Sequence, residues 1–507
     1  MATKRQFSRG VAWMTMGNWS EQIVNLAVFT ILVRLLGADP FGLLTMAMAL
    51  VLIGEGLVRE TLSEYIFSAP QLESKDIDAL FWALAGLGGG LSLLLVIFAP
   101  QVAEFYDQAI VRDLLWATAP IVAATAVTAV PVALLRRKMN IKPLAARAFW
   151  GVVTGGIVGV VLAFAGAGVW ALAAQRLVLT LTNVVIAWRA AQWRPGPWPG
   201  LAHLTHSLPF GRSVVFWRMA EMGNIQLPSV VIGAALGPVQ LGYYVIAWRL
   251  VELFSFLIVT PMRMAALPAF SAGRAKPKER DPLLMDTLRL AGFIAIPSFA
   301  GLSLVAPEAL FVFGGAAWLP AAPVMSVLAF FGMYLCLAKI EETYAIAHGR
   351  VPDLARLALI NLVLSLGGMT LLSPLGLPWM AGAMVAGAVL ITPMRLVIVA
   401  RDARAPLWIF VRQQLGPVVG AVGFSVLILG LRPWLNDLPI LLSLAIAAAI
   451  GVAFYSALAL RFMTRRLAMA KSYLADLRRG SPSLGEQAED LSNAPQSPGP
   501  NTKGEPR

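Results

Sequence analysis

Residues 34–51 read RLLGADPFGLLTMAMALV, and residues 234–251 read AALGPVQLGYYVIAWRLV. Laid over each other without a gap, they share Leu36/Leu236, Gly37/Gly237, Gly42/Gly242, Ala47/Ala247, Leu50/Leu250 and Val51/Val251. Two further landmarks keep the order and nearly the spacing. Ala99 and Pro100 return as Ala306 and Pro307, and PLAAR at 143–147 returns as PDLAR at 352–356. The generic alternative is that Leu-Gly-x4-Gly is the ordinary grammar of a membrane turn. It accounts for the first phrase but not for three landmarks in register, so one unit is expected twice.

Composition says what kind of unit this is. Of 507 residues, 58% are hydrophobic and only 13% charged, with a mean hydropathy of +0.74. Soluble domains carry about 25% charged residues, so the chain reads as a membrane protein. Apolar stretches long enough to cross a bilayer recur along it. In lipid each must satisfy its own backbone hydrogen bonds, which predicts an all-α fold. Spans are expected at 11–36, 41–62, 79–99, 111–134, 148–167, 169–190, 212–236, 241–267, 284–306, 319–347, 354–373, 378–400, 410–431 and 438–460. The lone Cys336 reads as a small core residue. No cleavable signal peptide is expected, because the apolar run after MATKRQFSRG is too long.

The net charge of +13 would suggest nucleic acid in a soluble protein. Here the basic residues sit in alternate connections instead, among them Lys4, Arg5 and Arg9, then Arg136, Arg137, Lys138, Lys142 and Arg147, then Arg274, Lys276, Lys278 and Arg280. The opposite set holds little beyond Arg112 and Arg432. The positive-inside rule puts both termini in the cytoplasm, as an even number of spans also requires. No nucleic-acid partner is expected. Residues 461–479 are expected to form a basic helix on the inner membrane surface, and the Ser-, Pro- and Gly-rich residues 480–507 to be disordered. The expected division is a six-helix bundle over 1–195, a second over 196–405, two additional spans over 406–460, and a tail over 461–507. Repeats in the same orientation are a transporter architecture with the substrate site between the halves.

Ionisable residues inside spans each cost about 2.5–3.5 kcal/mol on insertion scales, so they mark candidate sites. Asn18, Glu21, Gln22 and Asn25 share one face of the first span. The offset of the repeat pairs Glu21 with Glu221 and Asn18 with Arg218. Arg176, Arg249, Glu252, Lys339, Glu341 and Glu342 are further intramembrane charges. Glu55 and Arg59, four apart in the favourable order, read as a structural ion pair. An alternative for Arg218 with Glu221, and for Arg249 with Glu252, is that each pair is neutralised within its own helix. Trp13, Trp19, Trp217 and Trp248 lie near these charges, as interfacial anchors or as aromatic faces of a site.

The stretches SRGVAW (8–13), VRLLGADPFGLLTMA (33–47), LLRRKMNIKPLAAR (134–147), GVWALAAQRL (168–177), LGYYVIAWRL (241–250) and WLPAAPVMSVLA (318–329) resemble Wzx-like polysaccharide flippases of the multidrug/oligosaccharidyl-lipid/polysaccharide exporter superfamily. The resemblance covers roughly residues 8 to 460. It implies fourteen helices in two six-helix bundles plus two, a V-shaped cavity and alternating access in a bacterial cytoplasmic membrane. It also implies a substrate, an oligosaccharide repeat linked to undecaprenyl diphosphate. Membrane lipids, a polysaccharide polymerase and a chain-length regulator are the expected partners. A diphosphate would need cations, for which Arg218, Arg249, Arg176 and Lys339 are available. The polar residues Asn18, Glu21, Gln22, Asn25, Glu221 and Glu252 would line the cavity or couple transport to a cation or proton.

Competing readings are a cation- or proton-coupled drug or metabolite exporter of the same superfamily, a polysaccharide polymerase or ligase, and a non-transporting scaffold. Short connections on the face opposite the basic loops argue against a polymerase or ligase, and no nucleophile constellation or ATP site is found. A transporter without cofactor is expected, not an enzyme. His203 and His206 are three apart but lack a third metal ligand nearby. The glycines of AGLGGG (85–90) and GVVTGGIVG (151–159) are read as points of close helix approach.

Glu21 carries the sharpest of these expectations. If its carboxylate takes up a proton in one cavity state and releases it in the other, coupling transport to a proton gradient, a Glu21→Gln protein loses gradient-driven transport. Substrate uptake into vesicles, measured with and without a protonophore, checks this. A variant that transports normally and is indifferent to a collapsed gradient rules the coupling out.

Overall fold

The computed structural model describes residues 2–61, 73–138, 140–200, 208–273, 281–451 and 453–456. Residues 10–451 form one compact unit, which is the subject below. A second unit, residues 1–9 with 452–507, is described only over its helical residues 2–9 and 453–456. The expected surface helix at 461–479, the tail at 480–507 and both His203 and His206 lie outside the described residues.

Every described element is helical. The order is α1 (Ala2–Leu36), α2 (Ala38–Thr61), α3 (Ser74–Phe105), α4 (Ala109–Thr118), α5 (Pro120–Arg137), α6 (Ile141–Phe164) and α7 (Val169–Ala191). It continues with α8 (Leu208–Gly273), α9 (Pro282–Leu304), α10 (Ala306–Gly314), α11 (Ala322–Ala347), α12 (Val351–Leu372), α13 (Leu377–Asp402) and α14 (Leu407–Asn436). Among the described residues, 12 helical runs are long and apolar enough to cross a membrane. One of these, Trp217–Ser271, has 55 residues and breaks helical geometry at Gly237, so it serves as two crossings. A shorter apolar helix, Ile440–Ser456, follows the last. Each of the fourteen expected spans thus has a helical counterpart.

The duplicated phrase is a duplicated structure. Gly37 and Gly237 take φ of 73° and 78°, a left-handed conformation that glycine adopts without the clash a Cβ brings. Gly37 separates α1 from α2, and Gly237 bends α8 at the matching place. The second pair of shared glycines meets across the repeat. A Cβ on Gly42 would strike the carbonyl oxygen of Pro238, and one on Gly242 would strike that of Ala38. These contacts are reciprocal at the same offset, and α2 against α8 is the most extensive pairing among the described helices.

The same end of the bundle is filled from other elements. Trp318, only 1% exposed, donates its indole N–H to the carbonyl of Val33 at 3.1 Å and stands edge-on to Phe41 and Tyr243. Tyr106, between α3 and α4, is buried and reaches Gly233 of α8. Burial pushes its phenol up to about 12, so it stays neutral at any ordinary pH.

The proline landmarks behave differently from each other. Pro307 opens α10, in the first turn where its missing N–H is no loss. Pro100 was expected to end a span, yet α3 runs through it to Phe105. The expected span 111–134 is divided instead at Ala119, with Pro120 starting α5. Ser92 of α3 donates to the carbonyl of Ala119 at 2.9 Å, which also accepts from the Val122 N–H at 3.1 Å, and so ties the break to α3 inside the bundle.

The glycine contacts set an expectation for stability. Gly42→Ala or Gly242→Ala should push the two backbones apart and destabilise the protein by about 1–3 kcal/mol, as overpacking does. Gly90→Ala, where a Cβ meets open space, should be neutral or slightly stabilising. Thermal unfolding of the purified protein in detergent compares the three.

Candidate functional site

Three glycines build the site. Gly151, Gly155 and Gly159 repeat every four residues on α6, and each lies against α7, at Asn183, at the carbonyl of Gln175 and at the Gln175 side chain. Small residues at this spacing let two membrane helices approach closely. The close approach carries Arg147, one turn before Gly151, toward the α7 face that bears Arg176, Thr180 and Asn183.

Between α2, α5, α6 and α7 lies a cavity of about 450 Å³. Four arginines line it, Arg59, Arg136, Arg147 and Arg176, together with Glu55, Thr125, Thr128, Thr180 and Asn183. Glu55 is 4% exposed. It accepts from Arg176 at 2.8 Å and from the Thr125 hydroxyl at 2.7 Å. The carboxylate therefore binds across to α7, where the sequence suggested an ion pair with Arg59 within α2. The Nε atoms of Arg147 and Arg176 are buried and have no hydrogen-bond partner among the described residues. Among the described residues, four guanidinium groups face one lining carboxylate, which makes this lining strongly cationic.

The residues singled out from sequence fall into three places. Arg176 lines the cavity. Glu21, Gln22 and Asn25 stand half-buried on α1, with Glu21 in the field of Arg147; the side chain of Asn18 lies outside the described ones. Arg218, Glu221 and Lys339 form a separate network between α8 and α11. Lys339 donates to Glu221 at 2.6 Å and to Glu342 at 2.9 Å, while Arg218 pairs with Glu221 at 2.9 Å and lies over Trp217. Arg249 and Glu252 pair with each other at 2.7 Å on an exposed part of α8. The cationic cavity thus takes in one of the four expected cations. The physical reason is local: Arg218 and Arg249 each find a carboxylate three residues away on the same helix turn.

Sequence reasoning missed Arg59, Arg136 and Arg147. It assigned Arg136 and Arg147 to the basic loops and Arg59 to Glu55. Their position at the same-side ends of the second, fourth and fifth expected spans was the available signal. It also missed Arg395, which is 5% exposed, pairs with Glu341 and donates to the Tyr334 hydroxyl at 2.6 Å. An arginine inside the apolar run ITPMRLVIV is costly enough to be noticed.

Comparison with known proteins agrees with this architecture. A family model described as "Polysaccharide biosynthesis protein" matches residues 31–323. The succinoglycan biosynthesis transport protein ExoT of Rhizobium meliloti is 23% identical over 325 residues, 64% of this chain and 65% of that protein. The lipopolysaccharide biosynthesis protein WzxC of Escherichia coli is 20% identical over 370 residues, 69% of this chain and 72% of that one. Among solved structures, the lipid II flippase MurJ in an inward closed conformation superposes with a TM-score of 0.71 at 14% identity, covering 89% of this chain and 99% of that chain. An inward-facing multidrug transporter of the MATE family gives 0.58 at 16% identity, with 78% and 94% covered. The fold is the one these two solved structures share, that of an all-α multi-pass membrane protein.

The buried pair in α11 and α13 gives a direct expectation. Arg395→Leu leaves the Glu341 carboxylate buried without its partner, which should destabilise the protein by about 3–5 kcal/mol. The double variant Arg395→Leu with Glu341→Leu should recover most of that. Thermal midpoints of the single and double variants in detergent decide it.

Proposed function

The chain belongs to the polysaccharide biosynthesis protein family, whose model matches residues 31–323, and on that premise we propose that it is a flippase. It carries a lipid-linked oligosaccharide from one membrane leaflet to the other, with the diphosphate held in the cavity of Arg59, Arg136, Arg147 and Arg176. The single observation that supports this reading most is that cavity. A sugar diphosphate ester brings two negative charges and many hydroxyls into a membrane. Guanidinium groups suit phosphate because their paired N–H donors match its oxygens, and two of these arginines keep a buried Nε unpartnered. Thr125, Thr128, Thr180 and Asn183 offer hydroxyl and amide groups to sugar. The volume of about 450 Å³ falls in the range of small-ligand pockets, about 300–1,000 Å³.

The polyprenyl carrier is read as undecaprenyl diphosphate in a bacterial cytoplasmic membrane, serving exopolysaccharide, O-antigen or capsule assembly. The basic connections favour an orientation with both termini in the cytoplasm. On that orientation Arg59, Arg136 and Arg147 stand at the cytoplasmic ends of their helices and the Gly42–Gly242 seam closes the opposite end. The cavity then receives substrate from the cytoplasm, and alternating access releases it outside. Residues 1–195 and 196–405 act as the two moving halves, with 406–460 an addition and 461–507 a cytoplasmic extension. A polymerase and a chain-length regulator take the product.

Arg218, Lys339 and Arg249 each bind a carboxylate, as Arg176 does in the cavity; the cavity is favoured by its grouping of four arginines around one described carboxylate. Glu221 is held by two cations and is a poor proton carrier, so proton coupling falls to Glu21. An exporter of cationic drugs is disfavoured by the excess of arginine in the cavity.

The test is binding to the purified full-length protein in lipid nanodiscs, with inorganic pyrophosphate and the polyprenyl-diphosphate oligosaccharide as probes. Hydrogen bonds to charged groups contribute about 1.5–3 kcal/mol, so Arg147→Gln or Arg176→Gln should weaken binding roughly ten- to a hundredfold. Arg218→Gln and Lys339→Gln should change it by less than about threefold. Equal losses in both sets move the phosphate site to the α8–α11 network, and no binding of either probe removes the proposal.

A further inference from the structure

We infer that Arg34 is the latch of the closed end, and that α10 is the element it holds. α10 has 9 residues and is fixed from both sides by arginines on different spans. On one side Arg432 of α14 donates to the last carbonyl of α9, Leu304, at 2.7 Å, and pairs with Glu308 in the first turn of α10 at 3.0 Å. On the other side Arg34, near the end of α1, donates to the carbonyls of Val312 and Phe313 at 2.5 and 3.2 Å. Those carbonyls belong to the final turn of α10, where helix geometry provides no backbone partner and the helix dipole leaves partial negative charge. Beyond them Gly315 turns the chain with φ of 84°, and the 3-10 turn Ala316–Ala321 brings the Trp318 indole onto the carbonyl of Val33. Two adjacent residues of α1, Val33 and Arg34, therefore hold one short segment, 312–318, that belongs to the second repeat.

The two attachments differ in kind. Trp318 is buried and seated among Phe41 and Tyr243, whereas Arg34 is exposed and its hydrogen bonds can be exchanged for water. Any opening of this end must draw the turn between α1 and α2 away from Pro238 and from segment 312–318. The apolar seam at Gly42 and Gly242 has no directional bond to break. The guanidinium does, and water can replace it, which is what a contact made and released in every cycle requires. Arg432 stays with α9 and α10 on the same side of that opening, so the first span added after the second repeat braces the surface against which the latch closes. Arg34 thus acts as a positioning residue through α10 and touches no substrate.

The experiment reads the seam directly and needs no substrate, so it stands or falls apart from the diphosphate assignment. Leu241, fully buried beside Gly233 and next to Gly242, becomes a reporter as Leu241→Cys in a Cys336→Ser background. Its reaction rate with a maleimide is measured in full-length protein in nanodiscs. Arg34→Gln should raise that rate by about tenfold, the population change expected from losing hydrogen bonds of this kind. Arg34→Lys, which keeps charge but loses the paired geometry, should fall between. Trp318→Phe, which keeps the ring and loses the indole donor, should also raise it. In a parallel protein with Leu241 intact, the native Cys336, 1% exposed, should remain unreactive. The inference is overturned if Arg34→Gln does not raise the rate, whatever Trp318→Phe does, or if Cys336 becomes reactive along with the reporter in Arg34→Gln, since the substitution then loosens the whole fold and not one end.

Discussion

The structure depends on one steric constraint: two helices cross so closely that neither tolerates a Cβ at the crossing. Gly42 sits on the carbonyl of Pro238 and Gly242 on that of Ala38, and the preceding glycines, Gly37 and Gly237, supply the left-handed turns that bring each helix into position. Four glycines at two spacings therefore fix the angle and depth at which α2 meets α8. Everything at that end follows from the crossing. Trp318 finds Val33, Phe41 and Tyr243 within reach, Tyr106 reaches Gly233, and the cavity is left to form at the opposite ends of α2, α5 and α6. A close crossing without side chains gains dispersion contacts in lipid, where no hydrophobic effect drives helices together.

A second glycine strip does the same job locally. Gly151, Gly155 and Gly159 draw α6 onto α7 and thereby set Arg147 opposite Arg176. The two strips explain why a chain so rich in apolar residues can host several arginines in one place. Close packing on one face leaves a hollow on another, and the hollow admits the water that makes guanidinium groups tolerable. In the second repeat the space is used otherwise. Lys339, Glu221, Arg218 and Glu342 satisfy one another, and Arg395 with Glu341 is sealed off with Tyr334.

Much of the fold was legible because its causes are local or periodic. Span positions follow from apolar run length, and the repeat follows from glycines that have steric jobs. The roles of GVVTGGIVG and of the paired phrases could be read from small-residue spacing alone. The site was less legible, because which side chains converge depends on helix rotation. Glu55 shows the difficulty: its neighbour in sequence, Arg59, is in the favourable i, i+4 position, yet it binds Arg176, which lies 121 residues further on. Arg136 and Arg147 were counted correctly as basic residues at span ends, but charge counting assigns a side of the membrane and not a direction around the helix. Arg34 was passed over because a single arginine at a span end is unremarkable until the carbonyls it caps are known.

The repeats also show how matching positions came to differ. Arg147 and Arg356 occupy the same place in PLAAR and PDLAR, but the second version has Asp353 where the first has Leu144. Arg356 pairs with that aspartate at 3.5 Å, and Arg350 lies 3.7 Å from it. Glu21 and Glu221 occupy the same place on spans one and seven, but the second has Arg218 three residues before it where the first has Asn18. Glu221 pairs with Arg218 at 2.9 Å. At both positions the second repeat carries the opposite charge one helical turn away, and the first does not. Glu21 and Arg147 lack a counter-charge at i±3 or i±4 in the first repeat, and Arg147 lies in the fields of Arg59 and Arg136 as well as that of Glu21. Two matched positions thus carry a counter-charge three residues away in the second repeat and none in the first. The asymmetry needs no new fold and no long-range rearrangement, only the presence or absence of a counter-charge at i±3.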